Sequence, residues 1–176
     1  MLAQAQLVMA SCEVPLDATQ MAFEIAKQHQ ATTLLNPAPA SPLPDALWPW
    51  IDVLTPNEGE LLALAKEQDV TLAANALLAR GVKAVVVTLG ANGCCLFRTH
   101  KPALHVPGHA MKVIDTIGAG DTFTGALAAA LTRQTPWHDA LSWANAAAAL
   151  STQAQGAVSA MPTLKEVATW LPHGSP

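Results

Sequence analysis

The chain has 176 residues, of which 51% are hydrophobic and 12% are charged, and its formal net charge is −4. This length and composition predict a single domain, spanning residues 1–176, with a substantial buried core. An acidic chain without a basic cluster is not expected to bind nucleic acid, and a chain without an apolar run of about 18 residues is not expected to enter a membrane. Three cysteines without metal-ligand spacing favour reduced thiols in a cytoplasmic protein, and the six histidines form no pattern typical of a transition-metal site.

Apolar patterning predicts strands that alternate with helices along the chain. The expected strands are 7–10, 32–35, 51–55, 82–89, 94–98 and 103–106. The expected helices are 16–28, 57–66, 72–80, 119–133, 137–153 and 164–171. This alternation is typical of an α/β fold with a parallel sheet covered by helices on both faces.

Several local features follow from residue type. The apolar runs 7–10 and 82–89 predict buried strands. Asp17 or Thr19 is expected to cap the first helix. The segment GANG, residues 90–93, is expected to form a hairpin turn in which the last two residues have positive φ.

Ligands of parallel α/β sheets bind at the carboxyl ends of the strands. Four loops that follow predicted strands carry polar or small residues, and we expect them to meet at one edge of the sheet. These loops are 36–37, 55–57, 88–90 and 115–121.

The segment DTIGAGDTFTGALAAAL, residues 115–131, places small residues immediately before an apolar helix. Small residues at 118–120 let the backbone approach a ligand closely, and the free N–H groups at a helix start favour an anion such as phosphate. Asp121, in the first helical turn, is suited to accept a proton from a substrate hydroxyl during phosphoryl transfer. An ordinary helix cap after a tight turn is the alternative for the same residues.

The same segment resembles the carboxy-terminal signature of the ribokinase family of carbohydrate kinases, also called the PfkB family. Five more segments fit that family in order and spacing: LLNPAPA, VLTPNEGELLAL, VVVTLGANG, WANAAAALST and GAVSAMPT. The resemblance implies a three-layer αβα fold with a mostly parallel sheet. It also implies phosphoryl transfer from ATP, with Mg²⁺, to the hydroxymethyl group of a ribose-like sugar.

The resemblance implies roles for individual residues at the reacting groups. Asp121 is the implied general base, beside the hydroxymethyl group of the sugar. The main-chain groups of Gly118, Ala119 and Gly120 are the implied anion hole for the γ-phosphate. Glu13, in the segment SCEVP, is the implied contact to a sugar hydroxyl.

A second set of residues is implied in binding the nucleotide and Mg²⁺. Asn57 and Glu60 form an N-x-x-E motif, and their i, i+3 spacing places both on one helix face. Alternatives stay open for three of the set: a solvated helix carboxylate at Glu60, a plain turn at Gly93 and a packed polar side chain at Asn145. The implied residues are Asn57, Glu60, Thr88, Gly90, Gly93 and Asn145.

The resemblance also implies a monovalent-cation site, filled by potassium in this family. Asp115, the carbonyl of Ile117 and Gly156 are its implied ligands, and a carboxylate with backbone carbonyls suits a hard cation. The family's loop reads G-x-x-x-S-x-P, whereas GAVSAMP has Ala160 at the serine position and Ser159 one residue early. Potassium dependence is therefore left open.

Family members are longer, and this chain begins midway through their pattern, without the sugar-recognition motif, the early strands of the sheet or the β-sheet lid. Such a sheet exposes an apolar edge, so either homo-oligomerisation or association with an amino-terminal half is expected. Three hypotheses follow: the catalytic half of a sugar kinase, a nucleotide-binding module without efficient kinase activity, and a truncated product with idle motifs. A fructose-type sugar or a nucleoside is left open as the substrate.

Overall fold

The computed structural model describes residues 4–171, which form two compact units. The first unit runs to Thr88 and includes Cys95–Leu104, and the second consists of Leu89–Cys94 and the chain from His105 onward. The single domain expected over 1–176 stays a prediction, and its two ends lie outside the described residues. The strands are β1 (Leu7–Ser11), β2 (Thr32–Asn36), β3 (Val53–Leu54), β4 (Ala84–Thr88), β5 (Cys94–Arg98) and β6 (Leu104–Val106). The helices are α1 (Leu16–Gln28), α2 (Glu58–Ala65), α3 (Val70–Ala79), α4 (Ala119–Thr132), α5 (Trp137–Ser151) and α6 (Leu164–Trp170).

The strands form a sheet in the order β1-β2-β3-β4-β5-β6. The first four are parallel, because the chain between each pair is long enough to return to the same end of the sheet. Leu34 of β2 lies opposite Met9 of β1 on one side and Val53 of β3 on the other, which sets the register. β5 and β6 each follow the preceding strand after a short connection, which only antiparallel neighbours permit, so the sheet is mixed.

The middle strands of this sheet are buried. β4 carries three successive valines that are inaccessible to solvent, as expected for the run 82–89, and branched side chains of this kind pack well on a pleated surface. α1 packs on β1 and β2, and both α2 and α3 pack on β4. The residues of the first unit that are 0% exposed include Phe23, Ala26, Leu34, Leu35, Leu54, Leu61, Ala73, Ala74, Val85, Val86 and Val87.

Two predictions about the amino-terminal elements are wrong. β1 is not a buried strand: Met9 is 50% exposed, because β1 stands first in the strand order and pairs with β2 on one side. Neither Asp17 nor Thr19 caps α1. The N-cap residue is Pro15, the Asp17 carboxylate accepts a hydrogen bond from the N–H of Ala18, and Thr19 is buried.

The turn after β4 joins β4 to its sheet neighbour β5, as expected of a hairpin, but its conformation differs from the predicted one. Gly90–Asn92 forms a single turn of 3₁₀ helix, and the Leu89 N–H closes it by donating to the Gly93 carbonyl over 2.8 Å. Positive φ occurs at Gly90 (58°) and at Gly93 (88°) but not at Asn92. The two glycines therefore take the conformations that an L side chain resists.

The core of the second unit lies among its helices. α4 packs along α5, with the fully buried leucines Leu127 and Leu141 among many alanines, whose small side chains allow close helix approach. α5 and α6 share an apolar cluster around Trp143 and Val167. Between residues 4 and 171, no helix has the length and apolar character that crossing a bilayer requires.

A charged cluster ties together α1 and the strands of the first unit. The buried carboxylate of Asp52 pairs with Lys27 of α1 and with Lys83, whose Nζ lies 2.9 Å from Oδ1. It also accepts from the Thr33 N–H over 2.9 Å. Burial works to raise the pKa of Asp52, but hydrogen bonds from Lys27, Lys83 and Thr33 outweigh it and hold the pKa below its ordinary value.

Replacing Asp52 by Asn is expected to lower the free energy of unfolding at pH 7 by about 2 kcal/mol, because charge-assisted hydrogen bonds are lost. A carboxyl with a lowered folded-state pKa stabilises the fold above its unfolded-state pKa of about 3.9 and loses this effect as the pH falls further. The difference between wild type and Asp52→Asn should therefore shrink as the pH falls below about 4. Urea unfolding at pH 7 and pH 3 measures it, and a difference that is constant with pH would contradict the ionised role.

Candidate active site

The start of α4 is shaped by a glycine in a left-handed conformation. Gly118 is the N-cap residue, with φ 75° and ψ 3°. A Cβ at this position would lie 2.9 Å from the Cβ of Ala157 and 3.0 Å from its Cα, so both the conformation and the space require glycine. A Cβ at Gly120 would meet no atom within 4 Å, so packing does not require glycine there.

The first turn of α4 combines N–H groups with a carboxylate. The first N–H groups of a helix have no acceptor within the helix, and they lie at the positive end of the helix dipole. The Ala119 N–H donates to the Thr116 carbonyl over 3.2 Å, so a ligand would compete with that bond. The carbonyl of Gly118 accepts from the N–H and the hydroxyl of Thr122, each over 2.9 Å. Asp121 lies in this first turn and is exposed.

The loop before α4 is organised by the carboxylate of Asp115. Oδ1 accepts from the Ile117 N–H over 3.0 Å, and Oδ2 accepts from the Gly156 N–H over 2.9 Å. These bonds, that from Gly156 above all, hold the pKa of Asp115 below its ordinary value. Asp115 and Gly156, which are 41 residues apart, are therefore brought into contact.

The segment that follows α5 lies on the other side of the Asp115–Gly156 contact. We call this contact, between the loop before α4 and the segment after α5, the junction. Gly156 has φ 92°, and a Cβ there would lie 2.7 Å from Oγ of Ser159. That hydroxyl donates to the Gln155 carbonyl over 2.9 Å. Ala160 is 8% exposed. The side chain of Ile117 is exposed. Because this side chain is a hydrocarbon, only the main chain of Ile117 can offer a polar group to a ligand.

The turn that carries Gly90 and Gly93 packs tightly on the segment after β6. A Cβ on Gly93 would lie 2.2 Å from the Val106 carbonyl oxygen and 2.4 Å from the nitrogen of Gly108. A Cβ on Gly108 would in turn lie 2.3 Å from the Ala91 carbonyl oxygen. Gly93 therefore has a structural reason to be glycine, whereas a Cβ at Gly90 would meet nothing within 4 Å.

Asn145 of α5 is buried against the same segment. Its Nδ2 donates to the carbonyls of Val106 and Pro107, over 3.1 and 3.3 Å. The amide nitrogen is thus engaged within the fold, which favours the packed polar side chain among the two roles open for this residue.

In the first unit, Asn57 and Glu60 form a capping box at the start of α2. Oδ1 of Asn57 accepts from the Glu60 N–H, and Oε2 of Glu60 accepts from the Asn57 N–H, each over 2.8 Å. Asn57 is exposed and Glu60 is half-buried, and each side chain keeps oxygen lone pairs that the box does not use. The pair is therefore fixed in place by the helix cap that it forms.

Two further predicted residues lie in this unit. Thr88 ends β4 and forms a bridge with Asn57, and its N–H donates to the Pro56 carbonyl over 3.0 Å. Glu13 is exposed just after β1. Burial raises the pKa of the neighbouring Cys12 thiol above its ordinary value, against a hydrogen bond with Ser41 that lowers it, and the negative charge of Glu60 adds to the rise.

Sequence reasoning missed three features of these sites. The capping box was readable, because N-x-x-E before an apolar helix is its pattern. Contact between Gly93 and Gly108 and contact between Gly118 and Ala157 had no local signal, since each joins segments that are distant in sequence.

Known proteins resemble the chain over nearly its whole length. The model of the pfkB family carbohydrate kinases matches residues 1–164. A ribokinase from Staphylococcus aureus is 43% identical over 169 residues, which are 93% of this chain and 55% of that protein. The structure of Arabidopsis thaliana ribokinase complexed with ribose and ATP matches with a TM-score of 0.92 at 32% identity, over 98% of this chain and 58% of that one. An Escherichia coli structure in complex with ATP and Mg²⁺ matches with a TM-score of 0.84 at 26% identity, over 96% and 59%.

The chain therefore belongs to the pfkB family of carbohydrate kinases. The predicted fold class, an α/β fold of ribokinase type with helices on a mostly parallel sheet, is confirmed by these matches. The chain spans a little over half the length of the relatives that it matches.

Replacing Gly93 by Ala is expected to lower the free energy of unfolding by about 3 kcal/mol or more, because the added methyl overlaps main-chain atoms of 106–108 and φ is positive. Gly90→Ala is the matched control. It shares the positive φ but adds its methyl to open space, so a loss of about 1 kcal/mol is expected. Denaturant unfolding measures both, and equal losses would refute the packing role of Gly93.

Proposed function

We propose that this chain carries the phosphoryl-transfer machinery of an ATP-dependent sugar kinase, with a ribose-like sugar as acceptor. The observation that carries the proposal is the start of α4. A left-handed Gly118, the open space at Gly120 and the exposed Asp121 bring a base and an anion-binding helix end into the same turn. Family membership and the ribose and ATP in the Arabidopsis relative support it.

In the proposed reaction, the oxygen of the sugar's hydroxymethyl group attacks the γ-phosphorus of ATP. The bond from that phosphorus to the bridging oxygen breaks and leaves ADP, and the hydroxyl proton passes to the Asp121 carboxylate. Main-chain N–H groups of Gly118, Ala119 and Gly120 hold the oxygens of the transferred group. Positioning and charge stabilisation dominate such a transition state, so the reaction does not require a strong base.

The side-chain oxygens of Asn57 and Glu60 fit Mg²⁺, which prefers carboxylate and carbonyl ligands and keeps several of its waters. Their capping box holds them in a fixed arrangement with lone pairs to spare. When bound, Mg²⁺ neutralises phosphate charge. The ATP and Mg²⁺ of the Escherichia coli relative support this assignment.

The remaining residues are proposed from the family resemblance. Thr88 and Gly90 are proposed to contact the nucleotide, and Glu13 a sugar hydroxyl. Gly93 and Asn145 are proposed to act near the nucleotide through the turn that they shape. A monovalent cation at Asp115, Ile117 and Gly156 stays a prediction from the family resemblance.

A nucleotide-binding module without efficient phosphoryl transfer is the second candidate. It is favoured by the hydrogen bond from the Ala119 N–H to the Thr116 carbonyl, which competes with a phosphate oxygen. A fructose-type sugar or a nucleoside is an alternative acceptor. A cytoplasmic location and association, either with a further copy or with an amino-terminal half, stay predictions.

Ribose-dependent formation of ADP from ATP and Mg²⁺ is the direct test of the proposed reaction. Asp121→Asn is expected to lower this rate about 100-fold or more, because the base is lost, while the rise in melting temperature on adding ATP is kept. Asp139→Asn, at an exposed carboxylate in the first turn of α5, is the matched control and should keep the rate. Full activity in Asp121→Asn would refute the base, and an ATP-induced rise without ribose-dependent ADP in the wild type would favour the second candidate.

Gly120→Ala separates folding from phosphate binding. Its methyl meets no atom of the fold, so the free energy of unfolding should rise by up to about 1 kcal/mol through helix propensity. The same methyl obstructs close approach to the helix start, and we expect ATP to bind about tenfold more weakly, as calorimetry can measure.

Gly125→Ala is the control for this variant, because it lies further along α4 with equally open space. It should gain stability in the same way and keep the affinity for ATP. Equal affinities in the two variants would count against the anion hole.

A further inference from the structure

We propose that the junction beside α4 is fastened by the Asp115 carboxylate itself and does not depend on a monovalent cation. This inference concerns the regulation of the proposed phosphate site and rests on the proposed function for its consequence. It departs from the potassium site that the family resemblance implies, because three features of the donor set do not fit such a site.

The first feature is the use of the only carboxylate in the set. Both oxygens of Asp115 accept main-chain N–H groups, Oδ1 from Ile117 over 3.0 Å and Oδ2 from Gly156 over 2.9 Å. Charge-assisted hydrogen bonds of this length are strong, and a cation would have to share these oxygens with two donors. Gly156 thus presents an N–H donor, which repels a cation, to the carboxylate that the cation would bind.

The second feature is the loss of a hydroxyl. Ala160 is 8% exposed, and its methyl has no lone pair to offer a cation. The third feature is that the hydroxyl of Ser159, one residue earlier, is already held by a hydrogen bond of its own. Its hydroxyl donates to the Gln155 carbonyl over 2.9 Å and lies beside the Cα of Gly156, where a Cβ would come within 2.7 Å.

The same contacts explain how the junction holds without an ion. The Ile114 N–H donates to the Thr152 carbonyl over 2.8 Å, so the loop is fastened at 152 as well as at 156. Gly118 then rests on Ala157, one residue further on. Asp115 is therefore a positioning residue: it fixes the loop that sets the left-handed N-cap of α4.

The test compares melting temperatures in potassium chloride, sodium chloride and N-methyl-D-glucamine chloride at equal ionic strength. The wild type should melt within about 1 °C in all three salts. Asp115→Asn loses an acceptor, because an amide nitrogen cannot accept a main-chain N–H, and should melt about 4 °C lower in every salt. Asp139→Asn is the matched control and should match the wild type within about 1 °C.

A potassium-specific rise of several degrees in the wild type that disappears in Asp115→Asn would overturn the proposal. The affinity for ATP gives a second readout. The dissociation constant should agree within twofold between potassium and N-methyl-D-glucamine, and a tenfold tightening in potassium would also overturn it. Failure of ATP to bind in any salt counts against the proposed phosphate site, whereas the melting comparison still decides whether the junction needs the cation.

Discussion

The geometry of the α4 N-terminus depends on one carboxylate that binds two main-chain N–H groups. Asp115 links the loop before α4 to the segment after α5 through Gly156, and Gly118 packs on Ala157 at that link. A helix start attracts an anion only if its N–H groups are held in a defined direction, because their dipoles act over short distances. The charge of Asp115 thus serves the fold, while Asp121, six residues later, is the base in our proposal.

Residues implied in binding by the family resemblance also have a structural role in this chain. Asn57 and Glu60 cap α2, Gly93 permits two segments to touch, and Asn145 ties α5 to the segment after β6. A structural role and a binding role are compatible, because a capped or packed residue is held in one place, and such preorganisation favours binding. The two roles together make a simple loss-of-function variant hard to interpret at these positions, since a variant that binds poorly could equally have lost stability.

Local sequence predicted the type and bounds of the helices and strands well, and it predicted their caps and burial poorly. The helix over 16–28 was predicted with its bounds, since the apolar period and the flanking residues are local signals. Its cap was wrong, because Asp17 bonds to the adjacent N–H of Ala18 and leaves Pro15 at the N-cap. The strand at 7–10 was right in type and wrong in burial, because burial depends on strand order and apolar character does not reveal which strand lies first.

The sequence by itself determined the alternation of strands and helices, the family, and the set of small and acidic residues at 115–121, because propensity, period and motif spacing are properties of neighbouring residues. Only the tertiary structure decided which of the candidate site residues make hydrogen bonds or close contacts with distant segments of the fold. The pairing of Asp115 with Gly156, the contact of Gly93 with Val106 and the bonds of Asn145 each join segments far apart in the chain. Hydrogen bonds and steric exclusion act over a few ångströms of space, and no pattern of adjacent residues encodes which distant segments come within that range.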